Sequence, residues 1–102
     1  MGEKNYLRYF TATDRLRVSF TTTQGDVQRF VVQYEALVEE AWTPMVRYDT
    51  AHGFFHMDLI GPHRESEKVV LEFTNYNEAL TFAIAQIRTR WEGFRRQYEE
   101  VM

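Results

Sequence analysis

The spacing of hydrophobic and polar positions along this chain changes period once. From Arg15 to Thr22 they alternate, with Leu16, Val18 and Phe20 on one parity and Arg15, Arg17, Ser19 and Thr21 on the other. A period of two marks a half-buried strand. Gln24-Gly25-Asp26 reads as a turn. Val27 to Val38 repeats the pattern, with Phe30, Val32, Tyr34 and Ala36 together, and Val31 and Leu37 lending the opposite side some apolar character. Trp42 to Thr50 predicts a third strand, with Trp42, Val46 and Tyr48 on one side and Arg47 and Asp49 on the other. Pro44 has no amide donor, which suits an edge or a strand start. Phe54 to Ile60 predicts a fourth strand, closed by Gly61-Pro62-His63, and Lys68 to Phe73 a fifth. Tyr6 to Phe10 fits either a further strand or an arm packed on the sheet.

After Asn75 the period lengthens. Leu80, Ile84, Ile87, Trp91, Phe94, Tyr98 and Val101 step by four and three, which is one stripe of a helix. Asn75 and Glu78 have the spacing of an N-cap and the third helical residue. Gly93 interrupts the stripe at a cost of roughly 1 kcal/mol relative to Ala, and predicts a kink or the close approach of another backbone. The expected fold is α+β. It is a single domain over residues 1–102, with an antiparallel meander of four to six strands within about 15–73. One long C-terminal helix, about 76–101, packs on one face.

Composition narrows the function classes. The chain is 44% hydrophobic and 16% aromatic, which favours a packed core over disorder. It has no cysteine, so disulfides and thiolate chemistry are excluded. A net charge of −3 argues against attraction of the whole protein to nucleic acid. Arg88, Arg90, Arg95 and Arg96 nevertheless form a local basic group, with Arg88 and Arg95 as candidate phosphate contacts. The plainer reading is a solvated helix side balanced by Glu92, Glu99 and Glu100. Tyr6, Tyr9 and Phe10 beside Arg8 are either an RNA-contacting arm or core. The opening M-G-E-K-N-Y lacks the apolar core of a signal peptide, and no apolar run approaches the ~20 residues that span a bilayer. A soluble cytoplasmic protein without membrane contact is expected.

The chemistry concentrates in R-Y-D-T-A-H-G-F-F-H-M-D, Arg47 to Asp58. A hairpin folded at His52-Gly53 pairs Thr50 with Phe55, Asp49 with His56, Tyr48 with Met57, Arg47 with Asp58 and Val46 with Leu59. Asp49, His56, Arg47 and Asp58 then share a polar face, with opposed side chains ~5 Å apart at Cβ. His56 beside Asp49 is an acid–base couple whose carboxylate fixes the imidazole tautomer. Arg47 suits a phosphoryl group. That set fits metal-independent cleavage of an RNA phosphodiester. Alternatively, His56-x-Asp58 with His52 or His63 supplies metal-ligand types. The plainest reading is two cross-strand charge pairs that hold a solvent-facing hairpin, each worth up to ~1 kcal/mol. His52 reads equally as a turn residue, and His63 as an exposed loop residue.

The segments F-V-V-Q-Y-E, W-T-P-M-V-R-Y-D-T, A-H-G-F-F-H-M-D and N-Y-N-E-A-L resemble a family of small uncharacterised prokaryotic proteins over about two thirds of the chain. More distantly, Tyr48-Asp49, Gly53 and His56 resemble TumE-type toxins of toxin–antitoxin modules. The Asp-to-His spacing differs from that pattern by about one residue, and Asp58 stands where the pattern has a second histidine. The resemblance implies a toxin-like ribonuclease with an antitoxin partner, using Asp49, His56 and Arg47.

The expected catalytic set is therefore His56, Asp49 and Arg47, and the expected binding set is Tyr48, His52, Asp58, Arg88 and Arg95. No metal and no cofactor are assigned. Candidate partners are an antitoxin or other protein, RNA, or a second copy in a homodimer. The alternative function is a non-enzymatic module that binds a protein or self-associates.

Overall fold

The computed structural model describes residues 1–63 and 66–102, apart from the side chains of His52 and Ser66. Six strands follow one another as β1 (Gly2–Thr11), β2 (Asp14–Thr23), β3 (Asp26–Val38), β4 (Ala41–Asp49), β5 (His56–Ile60) and β6 (Ser66–Val70). A 3₁₀ turn, Ala51–Gly53, joins β4 to β5, and helix α1 (Tyr76–Glu100) ends the chain. The strands form one sheet in sequence order, and every neighbouring pair is antiparallel. The α+β meander expected from the periodicity is thus the fold, at the upper end of the strand count. Tyr6 to Phe10 belongs to strand β1. The last strand is shorter than expected: it stops at Val70, although the Leu71 amide still donates to the Phe55 carbonyl at 3.1 Å. Among the described residues, no helix is long and apolar enough to cross a membrane.

Short turns make the meander possible. Gln24 and Gly25 both have positive φ, 53° and 82°, the conformation that matches the twist of a two-residue hairpin. The β3–β4 turn uses the same region at Glu39 and Glu40, φ 49° and 69°, without a glycine. Left-handed backbone with a Cβ costs about 1–2 kcal/mol per residue, so this turn is held by the strands it joins.

Leu16 and Val18 of β2, Phe30, Val32, Tyr34 and Ala36 of β3, and Val46 and Tyr48 of β4 form the buried side of the sheet. Ala79, Leu80, Ala83, Ile87 and Phe94 of α1 cover it. The small Ala79 and Ala83 let the helix approach closely. Asn75 caps it as expected, its side chain accepting from the Glu78 amide at 2.9 Å. Gly93 causes neither a break nor a close approach: α1 runs through it, and a Cβ there meets nothing within 4 Å. Val101, expected on the apolar stripe, lies beyond the helix and is exposed.

One parity expectation is corrected. Tyr34 pairs with Val46 but Glu35 pairs with Pro44, so Met45 is an extra residue in β4. Such a bulge is where a missing amide donor is tolerated. It reverses the alternation, so Trp42 pairs with Leu37 on the face away from the helix, opposite in side to Val46 and Tyr48. There the Trp42 ring lies 3.9 Å from the Arg15 guanidinium carbon and 5.8 Å from the Tyr9 ring.

Candidate functional site

The face of the sheet without the helix carries most of the polar positions of β2 to β5. Register places two cross-sheet rows side by side on it. One runs Arg17, Gln33, Arg47, Asp58, Lys68 from β2 to β6. The next runs Ser19, Val31, Asp49, His56, Val70. Four of the five expected pairs of the β4–β5 hairpin are present, from Asp49 with His56 to Val46 with Leu59. Thr50 and Phe55 are not paired, because the 3₁₀ turn ends the ladder and β5 begins at His56 instead of Phe54. Gly53 makes the intervening turn possible with φ 82°, a conformation side chains rarely adopt.

His56 is the centre of this region. Its Nε2 lies 2.8 Å from Asp49 Oδ1 and 3.4 Å from Asp58 Oδ2. Its Nδ1 lies 3.3 Å from the Phe54 carbonyl oxygen, and the Phe54 ring centroid is 5.1 Å from the imidazole. Both ring nitrogens thus face oxygen acceptors. With Nδ1–H donated to the carbonyl, Nε2 is left turned toward two carboxylates. The side chain is only 2% exposed. Asp49 is held from a second side, where its Oδ1 accepts from the Ala51 amide at 3.1 Å and so ties the site to the 3₁₀ turn.

Asp58 is the least satisfied member. Among the described residues its buried Oδ1 has no hydrogen-bond partner, and Lys68 Nζ lies 3.9 Å away. The expected Arg47–Asp58 pair stands opposed in register, but the side chains do not meet. Arg47 Nε donates instead to Gln33 Oε1 at 2.7 Å, across the other edge of β4. Gln33 passes the connection on, donating to Glu35 Oε2 at 2.6 Å. Glu35 in turn pairs with Arg15 at 2.6 Å and Arg17 at 2.9 Å. Burial alone pushes the Glu35 carboxyl up, but hydrogen bonds from Arg17, Arg15 and Gln33 outweigh it and hold the group below its ordinary value.

Asp49, His56 and Asp58 are therefore brought together, with one ligand-type atom from each within 4.8 Å of the others. Arg47 shares their face but serves a neighbouring network. Tyr48 is a core residue and not a surface contact: it faces the helix side, stacked on Phe55 with centroids 6.1 Å apart. The His52 side chain lies outside the described residues. Arg88 is exposed on α1, away from this face. Arg95 is not a free phosphate contact, because its Nη1 binds the Asp14 carboxylate at 2.8 and 2.9 Å.

Sequence reasoning missed three features. Phe54 lies over His56, and its 37% exposure leaves the ring partly open to solvent. Arg29, opposite Thr21 on the same face, is exposed. A groove of about 360 Å³ lies beside Val31, lined by Glu3, Ser19, Thr21, Arg29, Val31 and Thr50 among others. Arg29 and Ser19 fall on the polar parity of their strands, which was the available signal.

A family model matches residues 1–102 from end to end. The chain belongs to the DUF7718 family, described as a domain of unknown function. No curated protein and no solved structure matches it.

Proposed function

We propose that this DUF7718 chain is an RNA-binding module that takes a single-stranded segment on the helix-free face of its sheet. The observation that carries the reading is the sorting of charge by depth on that face. Glu35, Asp49 and Asp58 are buried, whereas the Arg17 and Lys68 side chains are 47% and 45% exposed, and Arg29 is exposed as well. Over Arg17, Arg29 and Lys68 solvent therefore meets cations above a layer of acids, while exposed Glu3, in the row of Thr21 and Arg29, places an acid at the β1 side of the face. The net charge of −3 does not oppose this locally, because Glu39, Glu40, Glu92, Glu99 and Glu100 expose their charge elsewhere. Phe54 offers a ring for base stacking, and the hydroxyls and Arg29 of the neighbouring groove suit phosphate oxygens.

Fluorescence anisotropy with a single-stranded RNA oligonucleotide tests the reading. The doubly charge-reversed R17E/K68E variant should lose binding and flatten the salt dependence. Phe54→Ala should lose about tenfold, the value of one stacked base. No binding at low salt, or binding indifferent to both changes, overturns the proposal. Self-association of an RNA-indifferent protein would place Val31 and Val70 in an interface instead.

A second reading, cleavage of the bound RNA, is favoured by the 2.8 Å contact between Asp49 and His56. The likeness of Tyr48-Asp49, Gly53 and His56 to TumE-type toxins supports the same direction. It requires Phe54 to lift from His56, so that the imidazole reaches a substrate proton. Arg47 would then steady the phosphate. A growth assay with wild type and His56→Gln decides it: equal toxicity from both, or none from either, removes this reading.

A further inference from the structure

We infer that Asp49, His56 and Asp58 form a binding site for one divalent transition-metal ion of the Zn²⁺ class. The inference shares a face with the RNA-binding reading but does not rest on it.

Three observations converge. The first is the donor set: an imidazole and two carboxylates with ligand atoms within 4.8 Å of one another. Imidazole selects for Zn²⁺ and its first-row neighbours, and the carboxylates add charge without excluding them. The second is the state of the Asp58 carboxylate, which is 8% exposed. Its Oδ2 faces His56 Nε2 at 3.4 Å, while its buried Oδ1 has no hydrogen-bond partner among the described residues and only Lys68 Nζ at 3.9 Å. A buried carboxylate oxygen left without a donor is a standing cost that a cation removes. The third is the support around the ligands. His56 Nδ1 faces the Phe54 carbonyl oxygen at 3.3 Å, which directs Nε2 inward to the carboxylates, and Asp49 Oδ1 is positioned by the Ala51 amide. A ligating histidine ordinarily has its second nitrogen held in this way by a carbonyl or carboxylate.

Charge supports the same conclusion. With Nδ1–H donated to the Phe54 carbonyl, a neutral imidazole turns an unprotonated Nε2 toward two nearly buried carboxylates, an arrangement of three acceptors. Lys68 offsets only part of this from 3.9 Å, on a side chain free to turn to solvent. An ion at the convergence of Nε2, Asp49 and Asp58 accepts the Nε2 lone pair and both carboxylates and leaves its remaining positions to water. It also occupies the nitrogen that acid–base chemistry needs, so the ion and the cleavage reading of His56 exclude each other.

The test is isothermal titration of chelator-treated protein, carrying no histidine tag, with Zn²⁺ and separately with Mn²⁺. Zn²⁺ should bind at one per chain and more tightly than Mn²⁺, following the usual order for nitrogen and oxygen sites. Asp58→Asn and His56→Gln should each weaken Zn²⁺ by at least about tenfold, while His63→Gln should not. Lys68→Ala should bind more tightly, because it removes a competing cation without touching the core. This last variant keeps the test decisive if circular dichroism shows that the buried replacements do not fold. Absence of Zn²⁺ uptake by wild type, uptake unchanged in folded Asp58→Asn, or equal affinity in Lys68→Ala overturns the inference. One Zn²⁺ per chain with RNA binding intact would retain both proposals and exclude acid–base use of His56.

Discussion

Two buried carboxylates on opposite faces of the sheet illustrate two uses of charge. Asp14, on the helix side, is surrounded by donors: Thr11 Oγ1 at 2.6 Å, Tyr34 Oη at 2.6 Å and Arg95 Nη1 at 2.8 and 2.9 Å. Asp58, on the helix-free side, has a long 3.4 Å contact to His56 and one oxygen with no hydrogen bond. Both are under a tenth exposed. The Asp14 cluster ties the start of β2 to β3 and α1, and every member is satisfied. That is how a buried charge becomes a structural clamp. The Asp58 cluster gives its owner no such return. Its geometry makes sense when something else occupies it.

The comparison breaks most visibly if the clamp is removed. Asp14→Ala leaves the Tyr34 hydroxyl and Arg95 facing an empty position, and should cost about 3 kcal/mol, toward the low end for breaking a buried pair because Arg95 is partly solvated. Thermal unfolding should show a Tm lower by at least about 10 °C. A loss below about 1 kcal/mol would mean that water replaces the carboxylate readily, and the clamp description would fall.

Acid reports the same difference without mutation. Burial pushes the Asp14 carboxyl up, but hydrogen bonds from Thr11, Tyr34 and Arg95, with the Arg95 charge, hold it below its ordinary 3.8; Glu35 is likewise held below 4.5. A carboxyl lowered on folding contributes stability that is present above its unfolded value and is lost as pH falls through its folded value. Urea unfolding from pH 6 to pH 2 should therefore show stability falling below about pH 4.5, with a smaller fall in Asp14→Ala and in Glu35→Gln. Identical pH profiles in all three would deny these groups their role. Glu35→Gln should itself cost about 2 kcal/mol at neutral pH, because Arg15 and Arg17 lose a shared partner and Arg17 is half exposed.

The two regions also differ in how far the sequence revealed them. The hairpin from Arg47 to Asp58 was legible because alternation is strict there and Gly53 marks the turn, so backbone register followed directly. Side-chain choice did not follow. Arg47 stands between Gln33 on β3 and Asp58 on β5, and register alone allows either partner. Gln33 takes it because Glu35 orients the Gln33 amide, a connection that needs the β3–β4 register as well. Trp42 was misplaced because the extra residue at Met45 reverses parity, and a bulge leaves little trace in a hydrophobic pattern beyond Pro44. The Asp14 clamp was invisible: Asp14 and Arg95 lie 81 residues apart, and Arg95 looked like one of four solvated helix arginines. The burial of His56 depends on where Phe54 lies, which no periodicity encodes.

The finest test of the contrast is Asp58→Asn in the presence of chelator. Its stability should lie within about 0.5 kcal/mol of wild type. Oδ1 has no hydrogen bond to lose. The amide can turn its NH2 toward the unprotonated His56 Nε2, and the change removes one of two carboxylates crowded about that nitrogen. The Lys68 contact at 3.9 Å is lost, but a half-exposed pair of that length is worth a few tenths of a kcal/mol at most. A loss comparable with Asp14→Ala would make the two clusters equivalent and return Asp49, His56 and Asp58 to the role of scaffold. If the small effect is found, adding Zn²⁺ separates the possibilities further. An ion bound only by the folded state stabilises in proportion to the logarithm of its concentration over Kd. Wild type should then gain stability that Asp58→Asn does not, and the oxygen that contributes nothing to the apo fold becomes the one on which the difference depends.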